Sequence, residues 1–140
     1  MRLRQLVVSS LTACLLTVLA GTASALTPYP FENDTDVPDG RSAPFVGHWS
    51  VRVAGRTGGT ISTCAIPLEI EASGPRSIVY RAPNDPEARI DLIAEDRRTT
   101  WQSSITGGSF IAVWTDQDRF YLYDQAAPDL GGPYSFARCN

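Results

Sequence analysis

The feature that most constrains this chain is its rhythm. From Phe45 to the C-terminus, short apolar runs alternate with turn residues about every eight to twelve positions, the pattern of an all-β sandwich or barrel. In the first run Phe45, Gly47, Trp49, Val51 and Val53 share one face and His48, Ser50 and Arg52 the other, as a half-buried strand with a side-chain period of two requires. A flexible turn over 55–60 follows. The run 61–71 then places Cys64, Ile66, Leu68 and Ile70 inward and Glu69 and Glu71 outward. Pro67 has no amide proton for a ladder, so this strand lies at an edge or bulges there.

Ser73, Gly74 and Pro75 turn the chain into a strand at 77–80. The segment 85–95 has two readings. Asp85 as N-cap, Pro86 at the first helical position and Glu87 in the first turn would open a helix. Ile90, Leu92 and Ala94 alternating with Arg89 and Asp91 favour a strand, and the strand is preferred. Further strands fall at 99–103 around Trp101, 110–115, 120–123 and 134–139, separated by Gly107-Gly108, Asp116-Gln117-Asp118 and Gly131-Gly132-Pro133. Eight strands on short connections favour antiparallel neighbours. The predicted fold is an eight-stranded antiparallel up-and-down barrel over residues 45–140, with a two-sheet β-sandwich as the alternative.

Residues 26–44 carry four prolines and several carboxylates with almost no aliphatic side chain. Such a stretch buries too little apolar surface to order itself and is expected to be an extended arm. Residues 1–25 read as a cleaved export signal: Arg2 and Arg4, an apolar stretch over 6–20, and the small residues Ala23-Ser24-Ala25. The apolar stretch is short of the roughly 20 residues that a membrane span needs. Leu11-Thr12-Ala13-Cys14 matches a lipidation box, but the apolar run continues past Cys14, so cleavage there would strand a hydrophobic tail. Cys14 is therefore assigned to the discarded segment. Cys64 and Cys139 remain, and an even pair in an exported chain reads as one disulfide. It closes a loop of 75 residues, which the chain-entropy model values at about 4 kcal/mol. The expected location is periplasmic or secreted.

Two of the twelve basic residues, all arginine, leave with the signal; ten remain against fifteen carboxylates, a net charge of −5. An acidic surface attracts neither nucleic acid nor anionic lipid, and no membrane insertion is expected once the signal is gone. The sole histidine, His48, lies on the polar side of its strand, and the two cysteines are spent on each other, so no catalytic nucleophile or base is expected. No phosphate loop, haem site or zinc ligand set is present, and neither cofactor nor metal is expected. Glu69 and Glu71 share a face opposite the core. Asp34, Asp36, Asp39 and Gly40 loosely resemble a calcium loop but lack the distal bidentate glutamate, which favours an acidic linker. Asn33-Asp34-Thr35 is formally a glycosylation sequon.

Aromatic residues carry the remaining signal. Trp49, Phe110, Ala112 and Trp114 are placed to line an interior, whereas Tyr121 and Tyr123 alternate with Phe120 and Leu122 and face the other way. Exposed aromatics mark a contact surface, or these two cover the open side of a sheet beneath the N-terminal arm.

Gly47-His48-Trp49 on the first strand and Arg138 in Phe136-Ala137-Arg138-Cys139 resemble the calycin group, the lipocalins and the small bacterial metalloprotease inhibitors related to them. The resemblance implies a barrel opened by a Gly-x-Trp strand and closed by Arg138 packed over Trp49, a cation–π pair worth about 1–2 kcal/mol when shielded. It also implies a disulfide tying the last part of the chain to the barrel. In the inhibitors the cysteines lie closer together, in the first half of the domain, whereas Cys139 is next to the terminus.

The functional expectation is an exported, non-enzymatic binding protein that either inhibits a secreted protease or holds a small apolar ligand. For an inhibitor, the arm from Leu26 would enter a protein partner's cleft as an extended strand, with Tyr29 and Phe31 as anchors. Two alternatives are a carboxylate-dependent hydrolase using Glu69, Glu71 or Asp91, and a structural envelope component held to its partners through Tyr121 and Tyr123. A hollow barrel would favour a ligand; a filled one would move function to the arm and outer face.

Overall fold

Alternation in the sequence becomes alternation in burial. In β1 (Gly47–Val53), Trp49 and Val51 are buried and His48 and Arg52 exposed; in β5 (Ala88–Glu95), Ile90 and Leu92 are buried and Arg89 and Asp91 exposed. The computed structural model describes residues 30–54, 59–104, 107–126 and 133–140. Residues 1–25, where an export signal is expected, with Cys14, and the residues Leu26, Tyr29, Gly131 and Gly132 lie outside the described residues.

The remaining strands are β2 (Thr60–Ser62), β3 (Leu68–Gly74), β4 (Ser77–Arg81), β6 (Arg98–Ser103), β7 (Ser109–Asp116), β8 (Arg119–Asp124) and β9 (Tyr134–Arg138). From β3 to β9 each strand pairs antiparallel with the next, and β9 returns to β1, Trp49 opposite Arg138 through Val53 opposite Tyr134. The sheet is thus a closed eight-stranded up-and-down barrel with one extra strand segment, and closure leaves no pair of separate sheets. The segment 85–95 is strand from Ala88 onward; Asp85, Pro86 and Glu87 belong to the loop before it and start no helix.

The run 61–71 departs from the single strand expected of it. β9 occupies one edge of β1, so β2 and β3 must share the other: Ser62 lies opposite Val51 and Leu68 opposite Trp49. They form one stave interrupted by 63–67. This excursion is held by Thr63 and Ile66, whose backbones exchange hydrogen bonds of 3.2 and 3.1 Å. Cys64 and Ile66 consequently face outward and are exposed, not inward; Ile66 is 65% exposed. Pro67 marks where the ladder breaks. Cys64 bonds Cys139, whose amide donates to His48 O on the opposite edge of β1. The disulfide therefore crosses β1 and joins its two neighbours.

The described part of the arm, 30–44, is fastened to the barrel, which corrects the expectation of a segment unable to order itself. Its order comes from polar contacts: Asn33 Nδ2 donates to Val37 O and Asp39 Oδ1, the Gly40 amide to Thr99 Oγ1 at 2.9 Å, and Ser42 Oγ to Gly74 O at 2.6 Å. Gly40 has φ +67, and a Cβ there would stand 2.8 Å from Ala94. The arm ends in a 3-10 turn, Ala43–Phe45, that drives Phe45 into the core. Phe45 meets Trp101, Trp114 and Phe120 at ring separations of 5.3, 4.8 and 5.1 Å, within the range of favourable aromatic pairs.

Candidate functional site

The two ends of the barrel are built differently. The turns after β3, β5 and β7 lie at the end crossed by the arm: the Ser42 amide donates to Pro75 O and the Asn33 amide to Arg97 O, while Arg138 reaches Gln117 and Asp118. There Arg138 stacks on Trp49, its guanidinium carbon 4.3 Å from the ring centroid. It also donates to Val46 O and Pro44 O at 2.8 Å each and to Asp118 Oδ1 at 3.0 Å. Trp49 Nε1 donates to Phe45 O at 2.8 Å. Gly47 makes this approach possible: at φ +142, a Cβ would lie 2.8 Å from Arg138 Nη1. The pairing expected between Trp49 and Arg138 is thus present and closes this end.

Toward the other end the described residues bound a cavity of about 380 Å³, toward the small end of the roughly 300–1,000 Å³ typical of ligand sites. Val51, Leu68, Ile90 and Leu122 supply aliphatic wall, and Tyr80, Trp101, Phe110, Tyr134 and Phe136 supply aromatic wall. The loop between β4 and β5 forms the rim with Ala82, Asp85, Pro86 and Glu87. Tyr80 is the penultimate residue of β4 and Tyr134 begins β9, so antiparallel order brings both hydroxyl-bearing rings to the mouth. Burial raises the Tyr80 phenol above its ordinary 10.0, and the nearby Asp85 and Tyr134 add to the rise. Glu87 accepts from Arg81 Nε at 2.8 Å, and Arg81 also pairs with Glu71 at 3.1 Å.

The residues singled out in the sequence meet different fates. Ala112 and Trp114 are fully interior, and Phe110 reaches the cavity. Tyr123 is not part of an exposed aromatic face: it is 4% exposed, beneath Phe31 at a ring separation of 5.1 Å, and its hydroxyl donates to Pro30 O at 2.6 Å. Tyr121 is half-buried against the same cluster with Ile111 and Val113. Phe31 also receives Arg98, 5.1 Å from its centroid, so this anchor of the arm is seated on its own barrel. Glu69 and Glu71 face outward, Glu69 lying 3.5 Å from His48, and Asp91 stands exposed on β5. These carboxylates do not converge on the cavity. Asn33, the sequon residue, is 5% exposed and uses its amide nitrogen internally, and Asp34 pairs with Arg97 at 2.7 Å. Among the described residues no group of three or more metal-ligating side chains is assembled.

Sequence reasoning missed Tyr80, Tyr134 and Asp85 as cavity residues. The available signal was positional, since inward residues at the open ends of staves must line any mouth. Fold and cavity together define a small disulfide-bonded antiparallel β-barrel, closed at one end by an arginine over a tryptophan and with a cavity toward the other, an architecture consistent with a calycin-like fold. No family model, curated protein or solved structure matches the chain.

Proposed function

We propose that this protein is a non-enzymatic carrier or scavenger that takes a small, mainly apolar molecule into the cavity of its barrel. The observation that carries this reading is the cavity of about 380 Å³ with its mixed aliphatic and aromatic wall. Binding sites for small molecules are concave, mostly apolar and marked by few polar groups, and here those groups cluster at the rim. The disulfide is compatible with an oxidising extracytoplasmic location, periplasmic or secreted. In the inhibitor reading, a partner that took Phe31 as an anchor would first have to lift it from Tyr123 and Arg98, so the cavity is the better-supported site.

The test is titration with the neutral fluorescent probe N-phenyl-1-naphthylamine. Saturable binding is expected, and Ala88→Phe, which fills the cavity from its wall, is expected to weaken it about tenfold or more while the far-ultraviolet dichroism stays unchanged. Absence of saturable binding, or binding indifferent to Ala88→Phe, overturns the proposal.

A further inference from the structure

We infer that the ligand of this cavity is an organic cation, an ammonium carried on a compact apolar body. The inference rests on the reading of the cavity as a ligand site and adds the charge of what fills it.

Its basis is the distribution of charge and aromatic surface around the mouth. Two carboxylates, Asp85 and Glu87, line the cavity, and no arginine or histidine is among its described lining residues. Arg81, paired to Glu87, is shared with Glu71, so one cation serves two carboxylates. No cation of the described residues lies within ion-pair distance of Asp85. Among the described rim residues the balance is therefore negative. Burial first, and the neighbouring Asp85 second, raise the Tyr80 phenol above its ordinary value.

Below the rim stand the rings of Tyr80, Trp101, Phe110, Tyr134 and Phe136, with Tyr80 and Trp101 centroids 6.4 Å apart. The faces of such rings attract a cation electrostatically, the more so where water is partly excluded. An ammonium at the mouth meets both sources of attraction while its apolar body fills the aliphatic part of the wall. An anionic ligand of the same size would bring its charge toward the like charges of Asp85 and Glu87, an unfavourable arrangement. The net charge of −5 over residues 26–140 acts in the same direction by raising the local concentration of cations.

Three molecules sharing one apolar body test the charge alone: 3-phenylpropylammonium, 3-phenylpropanol and 3-phenylpropanoate, titrated calorimetrically into the oxidised protein at neutral pH. The ammonium is expected to bind about tenfold more tightly than the alcohol, with the carboxylate weakest. Asp85→Asn, on an exposed loop, is expected to narrow the ammonium's advantage over the alcohol to about threefold, the ring faces and Glu87 holding the rest. If the alcohol or the carboxylate matches the ammonium, the cation inference falls and the ligand site stands. If none of the three binds, both fall.

Discussion

Gly47 sets how closely Arg138 approaches Trp49. The two positions lie on neighbouring strands, and a methyl group at Gly47 would occupy the space of Nη1, which is held in place by Val46 O. Gly47→Ala is therefore expected to cost about 1–3 kcal/mol, from backbone strain and displacement of the guanidinium. Arg138→Ala removes the cation–π contact and several charge-assisted bonds, an expected loss of about 2–4 kcal/mol. Because both act on one contact, their effects should fall short of additive by about 1 kcal/mol in a double-mutant cycle read by urea unfolding. Arg138→Lys is expected to recover little, since an ammonium cannot both stack flat and reach those carbonyls. Tyr80 offers a second test at this scale. Its raised pKa favours the neutral phenol in the fold, so its stabilising contribution is full below 10.0 and is lost as pH rises through its folded value. Ultraviolet titration of the protein against Tyr80→Phe should show that the substitution removes a late-ionising tyrosine. Asp85→Asn should shorten that delay without abolishing it, because burial is its larger cause.

At the scale of elements, the period-two signal located every stave, because facing one way or the other decides burial directly. It misplaced Cys64 and Ile66 because the excursion at 63–67 continues the alternation while leaving the ladder. A stretch of strand-like composition cannot show in sequence whether its backbone bonds go to the neighbouring stave or to itself. The arm was illegible for the opposite reason. Its order depends on groups such as the Asn33 amide and the Ser42 hydroxyl meeting the carbonyls of Arg97 and Gly74, far along the chain, and composition does not record those meetings. The excursion also carries a prediction: Cys64→Ser/Cys139→Ser should lose about 4 kcal/mol in urea unfolding, with the far-ultraviolet spectrum retained. A loss below 1 kcal/mol would show that the cross-link adds little to a barrel already closed by hydrogen bonds.

Over the whole molecule, the interior changes along the barrel axis. Phe45, Trp49, Trp114 and Phe120 fill the closed half, with Phe120 stacked on Phe136 at 4.3 Å, while toward the mouth Tyr80, Phe110 and Tyr134 stand beside the small residues Ala82, Ala88 and Ser103. The cavity lies among those rings and small side chains. Each inward residue was readable singly, but the volume left between them depends on which stave ends face each other, and this is set by the register around the closed ring. The two ends differ accordingly: one carries the arm, Arg138 and the buried rings, and the other the cavity.

The disulfide that crosses β1 makes a covalent ring of the chain from 64 to 139. That ring contains β3 through β9 but not β1. Without β1 those strands form an open sheet whose first and last members are tied across a gap one strand wide. The first strand is then an insert and the barrel a slot of preset width, so any peptide carrying the Gly47-His48-Trp49 pattern competes for the same place. A synthetic peptide of residues 42–54 should bind a chain truncated before residue 59 when it is oxidised, and more weakly when it is reduced.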